Sequence, residues 1–281
     1  MPTHIFDLPP ELLIQILSSL STNPLLRFAQ TSQYARSLAY SDLQNLSLAV
    51  YPSHRSSWHN KLFATQHKPK YDRSKTIQIP RAWDFEYSTL LKFHSKIIAS
   101  ILERHAFALQ RLELTLWTIS LPIAQALASL PVLRELTIRI EATHSVPRSY
   151  INPQRREERQ AWDLLASNPA SMHQMHTLKI ENAEVTVGQI SGLLSGTERL
   201  QELRLRKCDM LTSSIWSTPE LQNLHHLSIT DCINVHVASP ALDAISKMHR
   251  LKVRQSQPHI THCHYHHNTE GAMLHTISGL S

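Results

Sequence analysis

The residues with the most evident chemical potential lie late in the sequence, in His259-Ile-Thr-His262-Cys263-His264-Tyr-His266-His267. Imidazole and thiolate are zinc ligands. The run has no C-x-x-C to pair with its histidines, as a finger-type site requires. It therefore reads as a disordered or adventitiously metal-binding tail, and no metal ligand is assigned. No H-E-x-x-H occurs, and no D-x-D pair offers a metal-assisted phosphoryl site. The chain has five glycines in 281 residues, at 188, 192, 196, 271 and 279. G-x-G-x-x-G loops and P-loops need clustered glycines where backbone wraps a phosphate, so those nucleotide folds are excluded. The nucleophile elbow G-x-S-x-G fails as well, because Ile190 and Leu194 occupy its middle position. These exclusions point to a non-enzymatic protein without a cofactor.

Three cysteines, Cys208, Cys232 and Cys263, are too few for a disulfide framework in a chain of this length. The first residues lack a charged segment followed by an apolar one, and no run of 18 apolar residues occurs. The expectation is a cytoplasmic or nuclear protein with no membrane partner. The net charge of +6 is mild and dispersed, so nucleic acid is not expected as a partner either.

The elements come next. Pro9 and Pro10 suit the first turn of a helix, and Leu12, Leu13, Ile16, Leu17 and Leu20 then follow helical spacing. Asn23-Pro24 repeats the start signal, with Asn as cap and Pro at the first helical position. A third helix is expected from about Ser32 to Ala39. Three helices in about 40 residues bury little alone, which implies a docking surface. The blander reading is a cap on the next domain.

The run Phe6-Asp-Leu8-Pro9-Pro10-Glu11-Leu12-Leu13, followed by Leu25-Leu26-Arg27 and Thr31-Ser32-Gln33-Tyr34-Ala35-Arg36, resembles an F-box over about residues 4–48. Tyr34 stands where Trp is common in that family, and Gln33 where a basic residue is common. The resemblance implies docking on a Skp-type adaptor and, through it, a cullin. The docking residues it implies are Leu8, Pro9, Leu12, Ile16, Leu17, Leu20, Leu25 and Leu26.

The remainder repeats. Leu109-Gln-Arg-Leu112-Glu-Leu114 recurs in the segments beginning at Leu133, Met175, Leu200, Leu224 and Met248. Successive starts lie 24, 42, 25, 24 and 24 residues apart. The L-x-x-L-x-L pattern resembles a leucine-rich repeat, in which each copy is a short strand backed by an outer helical layer. The expected architecture is an N-terminal three-helix module followed by an α/β solenoid of about six repeats, within an α+β chain. The expected divisions are 1–48 for the F-box, 49–105 for a spacer or degenerate repeat, 106–258 for the repeats and 259–281 for the His-rich tail. The long interval places an insertion at about 144–162, read either as a solvated helix started by Asn152-Pro153 or as a substrate-contacting excursion. Gly188, Gly192 and Gly196 read as packing and turn residues rather than a membrane-helix contact. Cys208 and Cys232 fill the Asn/Cys slot that ends the repeat signature and read as buried, inert thiols.

Residues between the leucines of each strand share one face. On it, Arg139, Lys179, Arg204, Arg206, Arg250, Lys252 and Arg254 form a basic set suited to an acidic or phosphorylated protein substrate. The two resemblances together imply a substrate receptor of a Skp–cullin–F-box ubiquitin ligase, which positions a substrate for ubiquitination and proteasomal degradation and performs no bond chemistry itself. The alternatives are a leucine-rich-repeat scaffold without a ligase role and a hydrolase or metal enzyme using the tail.

Overall fold

Proline fixes φ and lacks an N–H, so a pair of prolines ahead of an apolar run marks where a helix can begin. In a computed structural model of the chain, α1 (Pro10–Ser18) begins there, with Pro10 in its first turn. The structure describes residues 5–20, 22–41, 44–52, 76–79, 81–141, 148–168 and 172–236. The module continues with α2 (Thr22–Ala29) and α3 (Gln33–Ser41). Asn23-Pro24 thus lies within the first turn of α2, which starts two residues earlier than the cap reading expects. Leu13, Leu17, Leu25, Ala29, Leu38 and Ala39 form a small core of their own, with Phe6, Ile14 and Phe28 packed on it.

Beyond the module, seven parallel strands form one sheet in the order β2-β1-β3-β4-β5-β6-β7. They are β1 (Asn45–Pro52), β2 (Thr76–Ile79), β3 (Arg111–Leu116), β4 (Glu135–Ile140), β5 (Thr177–Glu181), β6 (Glu202–Arg206) and β7 (His226–Thr230). A strand stands at each of the five described L-x-x-L-x-L copies. The sixth, from Met248, and the tail at 259–281 lie outside the described residues. From β3 to β7 the strands are sequential neighbours, and their leucines pair without slippage: Leu112 with Leu136, Leu136 with Leu178, Leu178 with Leu203, Leu203 with Leu227. A one-residue slip would turn every leucine to the other face, so burial on one side pins the register.

The strand β1 was not anticipated. It pairs Leu46 with Leu112 and Leu48 with Leu114, so the sheet begins inside the span read as the helical module. The signal was present: Leu43, Leu46 and Leu48 carry the same L-x-x-L-x-L spacing. The span read as a spacer or degenerate repeat holds β2 and an 18-residue helix, α4 (Tyr87–Arg104). Residues 53–75 lie outside the description.

One backbone arrangement recurs between the copies. The Gln110 carbonyl accepts from the N–H groups of Arg134 and Glu135, at 2.8 and 3.0 Å. The Arg134, His176 and Gln201 carbonyls each accept a corresponding pair from the next copy. At the far end of the strands, Asn182, Lys207 and Asp231 each take a left-handed conformation, with φ of 59°, 51° and 57°. Each directly follows its strand.

That layer is helical: α4, then α5 (Leu121–Ala128), α6 (Arg148–Ser167) and α7 (Val187–Ser195), each packed on the next. Two 3-10 segments, Ser213–Ser217 and Pro219–Asn223, replace a helix before β7. The large core lies between the layers, built from Leu112, Leu114, Leu136, Ile138, Leu178, Ile180, Leu203 and Leu205 against Ile98, Leu102, Ile123, Leu127, Trp162, Leu165 and Ile190.

The long interval goes mostly into α6, which has 20 residues where α5 has eight. The helix starts at Arg148, ahead of the expected Asn152-Pro153 signal, and keeps Pro153 inside. Glu158, Ala161, Trp162 and Leu165 are buried, so this segment is part of the helical layer rather than an excursion from it.

Candidate interaction surfaces

On α1 the apolar residues divide into two stripes, because residues four apart stack on one face while adjacent residues sit about 100° apart. Leu13 and Leu17, 1% and 3% exposed, point into the module core. Leu12 and Ile16, 47% and 43% exposed, point away from it. Leu8 and Leu20 are also exposed, as are Ile5 and Pro9. An exposed, contiguous apolar stripe on a small module is the usual mark of a docking face. Of the eight residues assigned to docking, Leu8, Pro9, Leu12, Ile16 and Leu20 are accessible. Leu17 and Leu25 are core residues, the latter 5% exposed. The side chain of Leu26 lies outside the description. Tyr34, exposed and in edge-to-face contact with Phe6 at 5.8 Å, was not selected from sequence.

The second surface is the face of the sheet opposite the helices. It carries Arg139, Lys179, Arg204 and Arg206 as expected; Arg250, Lys252 and Arg254 are outside the described residues. These cations are not bare. Arg139 Nε donates to Glu181 Oε2 at 2.7 Å, and Lys179 lies 3.8 Å from Glu202. Arg204 pairs with the same Glu202, and Arg206 Nε donates to Asp231 Oδ2 at 3.2 Å. Arg111 pairs with Glu135 at 3.0 Å. Alternation put acidic and basic side chains on one face; the register sets Arg139 opposite Glu181 and Arg111 opposite Glu135, while Glu202 and Arg204 lie two apart on β6. Over the described residues the face is a mosaic of ion pairs rather than a basic patch. An acidic ligand would exchange with the resident carboxylates.

Polar side chains buried between the layers serve packing. His94 is fully buried, with its ring stacked on Trp117 at 4.7 Å. Its Nε2 accepts from the Trp117 N–H at 3.4 Å, and burial lowers its pKa to about 3. Trp117 Nε1 in turn donates to the Val50 carbonyl at 2.6 Å, tying α4 and β3 to β1. Glu158 of α6 accepts from Thr118 Oγ1 at 3.2 Å and from the Glu184 N–H at 3.4 Å. Its carboxyl titrates above the ordinary range, chiefly because it is buried. Both groups fasten one helix to the sheet, and neither lies on the two surfaces described.

Cys208 is buried and Cys232 half-buried, beside one another in successive turns. Among the described residues, no group of three or more His, Cys, Asp or Glu side chains could hold a metal ion. No described helix is long and apolar enough to cross a membrane.

Compared with known families, residues 5–45 match the F-box-like family. No curated protein matches the chain.

Proposed function

We propose that this protein is a substrate-recognition subunit of a Skp–cullin–F-box ubiquitin ligase. F-box domains bind Skp-type adaptors, and the F-box-like match covers the module that displays the apolar stripe. That stripe is the observation that carries the reading. The module has a core separate from that of the sheet, which favours docking over a capping role. In this reading Leu8, Pro9, Leu12, Ile16 and Leu20 seat on the adaptor, which links the chain to a cullin.

The β-α array is read as a leucine-rich-repeat solenoid whose exposed sheet face holds the substrate. Support comes from the constant register, the carbonyl that accepts two N–H groups once per copy, and the left-handed residue after β5, β6 and β7. The protein performs no bond chemistry. It raises the effective concentration of a substrate lysine near the ubiquitin-charged enzyme, in the cytoplasm or nucleus, and the substrate then goes to the proteasome.

The test is reconstitution with a purified Skp-type adaptor. The two should co-elute, and Leu8→Ala with Pro9→Ala should separate them. Failure of the unaltered chain to capture the adaptor would remove the ligase reading and leave a repeat scaffold. Substrate capture should fall on Arg204→Glu with Arg206→Glu, and unchanged capture would move the substrate site off this face.

A further inference from the structure

Cys208 and Cys232 lie five residues beyond Leu203 and Leu227, which pair across β6 and β7. The alignment persists past the strand ends. The Lys207 N–H donates to the Thr230 carbonyl at 3.0 Å, and Asn234 Nδ2 donates to the Asp209 carbonyl at 2.6 Å. Between these two clamps the Cys208 N–H donates to Cys232 Sγ at 3.4 Å. Aligned positions on neighbouring strands lie about 5 Å apart, inside the roughly 4.4–6.8 Å Cα window of a disulfide.

The two sulfurs differ in surroundings. The Cys208 thiol is buried and reaches the Ile180 and Arg206 carbonyls at 3.7 and 3.5 Å. Cys232 is half-buried, and its thiol reaches the Thr230 carbonyl at 3.4 Å in an exposed position. The hydrogen bond from the Cys208 thiol, aided by the Cys208 N–H, draws Cys232 down to about 7, against its own burial and the opposing charges of Asp209 and Asp231. The same pairing, together with burial, pushes Cys208 up. A half-exposed thiol that favours its thiolate, beside a protected thiol, is the arrangement of an attacking and a resolving cysteine.

We propose that Cys208 and Cys232 are a redox-sensitive pair that hydrogen peroxide converts into an intramolecular disulfide joining two successive turns. The Cys232 thiolate attacks one peroxide oxygen; the S–O bond forms as the O–O bond breaks, leaving a sulfenic acid and hydroxide. The Cys208 sulfur then attacks the sulfenic sulfur. The S–S bond forms, the S–O bond breaks, and the thiol proton leaves with the departing hydroxide as water. Two thiols and one peroxide give one disulfide and two waters, and a dithiol reductant reverses the change.

The test uses the full chain carrying Cys263→Ser, treated with stoichiometric hydrogen peroxide, blocked with N-ethylmaleimide and mapped by peptide mass spectrometry. The expected product is one linked peptide pair containing Cys208 and Cys232, with a loss of 2 Da, restored by dithiothreitol. Without peroxide, iodoacetamide labelling of Cys232 should reach half its maximal rate near pH 7. Cys208→Ser should stop the reaction at a Cys232 sulfenic acid that dimedone traps. If Cys232 instead proceeds to the sulfinic acid with Cys208 free, or if neither thiol reacts in the folded chain, the proposal is overturned. The mapping of the Cys263→Ser chain decides the matter even if the Cys208 variant does not fold.

Discussion

Replacing Leu12 and Ile16 with alanine should separate docking from folding. A fully buried Leu→Ala change loses about 2.4 kcal/mol of transfer energy, at about 0.8 kcal/mol per methylene. Leu12 and Ile16 are 47% and 43% exposed, so about half of that is realised within the module. The other half, about 1 kcal/mol per residue, is realised only when a partner covers them. The double variant should therefore lose about 2 kcal/mol of binding, or about 30-fold in Kd for the adaptor. Leu13→Ala supplies the contrast. That side chain is 1% exposed, and a cavity adds to the transfer loss, so unfolding should become easier by about 3 to 4 kcal/mol. Isothermal titration calorimetry with the adaptor and denaturant unfolding followed by circular dichroism measure the two quantities. The reasoning fails if Leu12→Ala with Ile16→Ala leaves Kd within about threefold of the parent chain, or if it destabilises the fold as much as Leu13→Ala.

Four further outcomes are expected. His94 stays neutral in the folded protein down to about pH 3 but protonates near 6.5 when unfolded, so acid favours unfolding by about 1.4 kcal/mol per pH unit between those values. Glu158 acts in the opposite sense: its raised folded pKa removes stability as pH climbs above 4.5, and Glu158→Gln should flatten that limb of the Tm–pH curve. A Cβ at Gly192 would lie 2.9 Å from the Ala166 backbone oxygen, whereas one at Gly188 meets nothing within 4 Å. Gly192→Ala should lower the urea midpoint, while Gly188→Ala should raise stability by about 0.5 to 1 kcal/mol through helix propensity. Asn182 combines φ of 59° with a 2.6 Å hydrogen bond from Nδ2 to the Ile140 carbonyl. Asn182→Ala should cost about 1 to 3 kcal/mol in thermal unfolding, from the lost bond and the left-handed backbone.

By itself the sequence determined the start of α1 at its paired prolines, the strand at each described L-x-x-L-x-L copy, and the residues sharing each strand face. These are local matters, set by fixed dihedrals and by periods of 3.6 and 2 residues. It also contained β1, in the spacing of Leu43, Leu46 and Leu48, 66 residues ahead of the next copy at Leu109. Tertiary structure decided what local periodicity cannot distinguish. Leu12 and Leu13 are neighbours of one type, and only the position of α2 and α3 makes one exposed and the other core. Arg139 and Arg206 read as free cations until strand pairing brought Glu181 and Asp231 to them. The surplus of the long interval could have projected from the array. Burial of Glu158, Trp162 and Leu165 made its helix part of the layer. Cys208 and Cys232, 24 residues apart in sequence, met only because the turns stack in register.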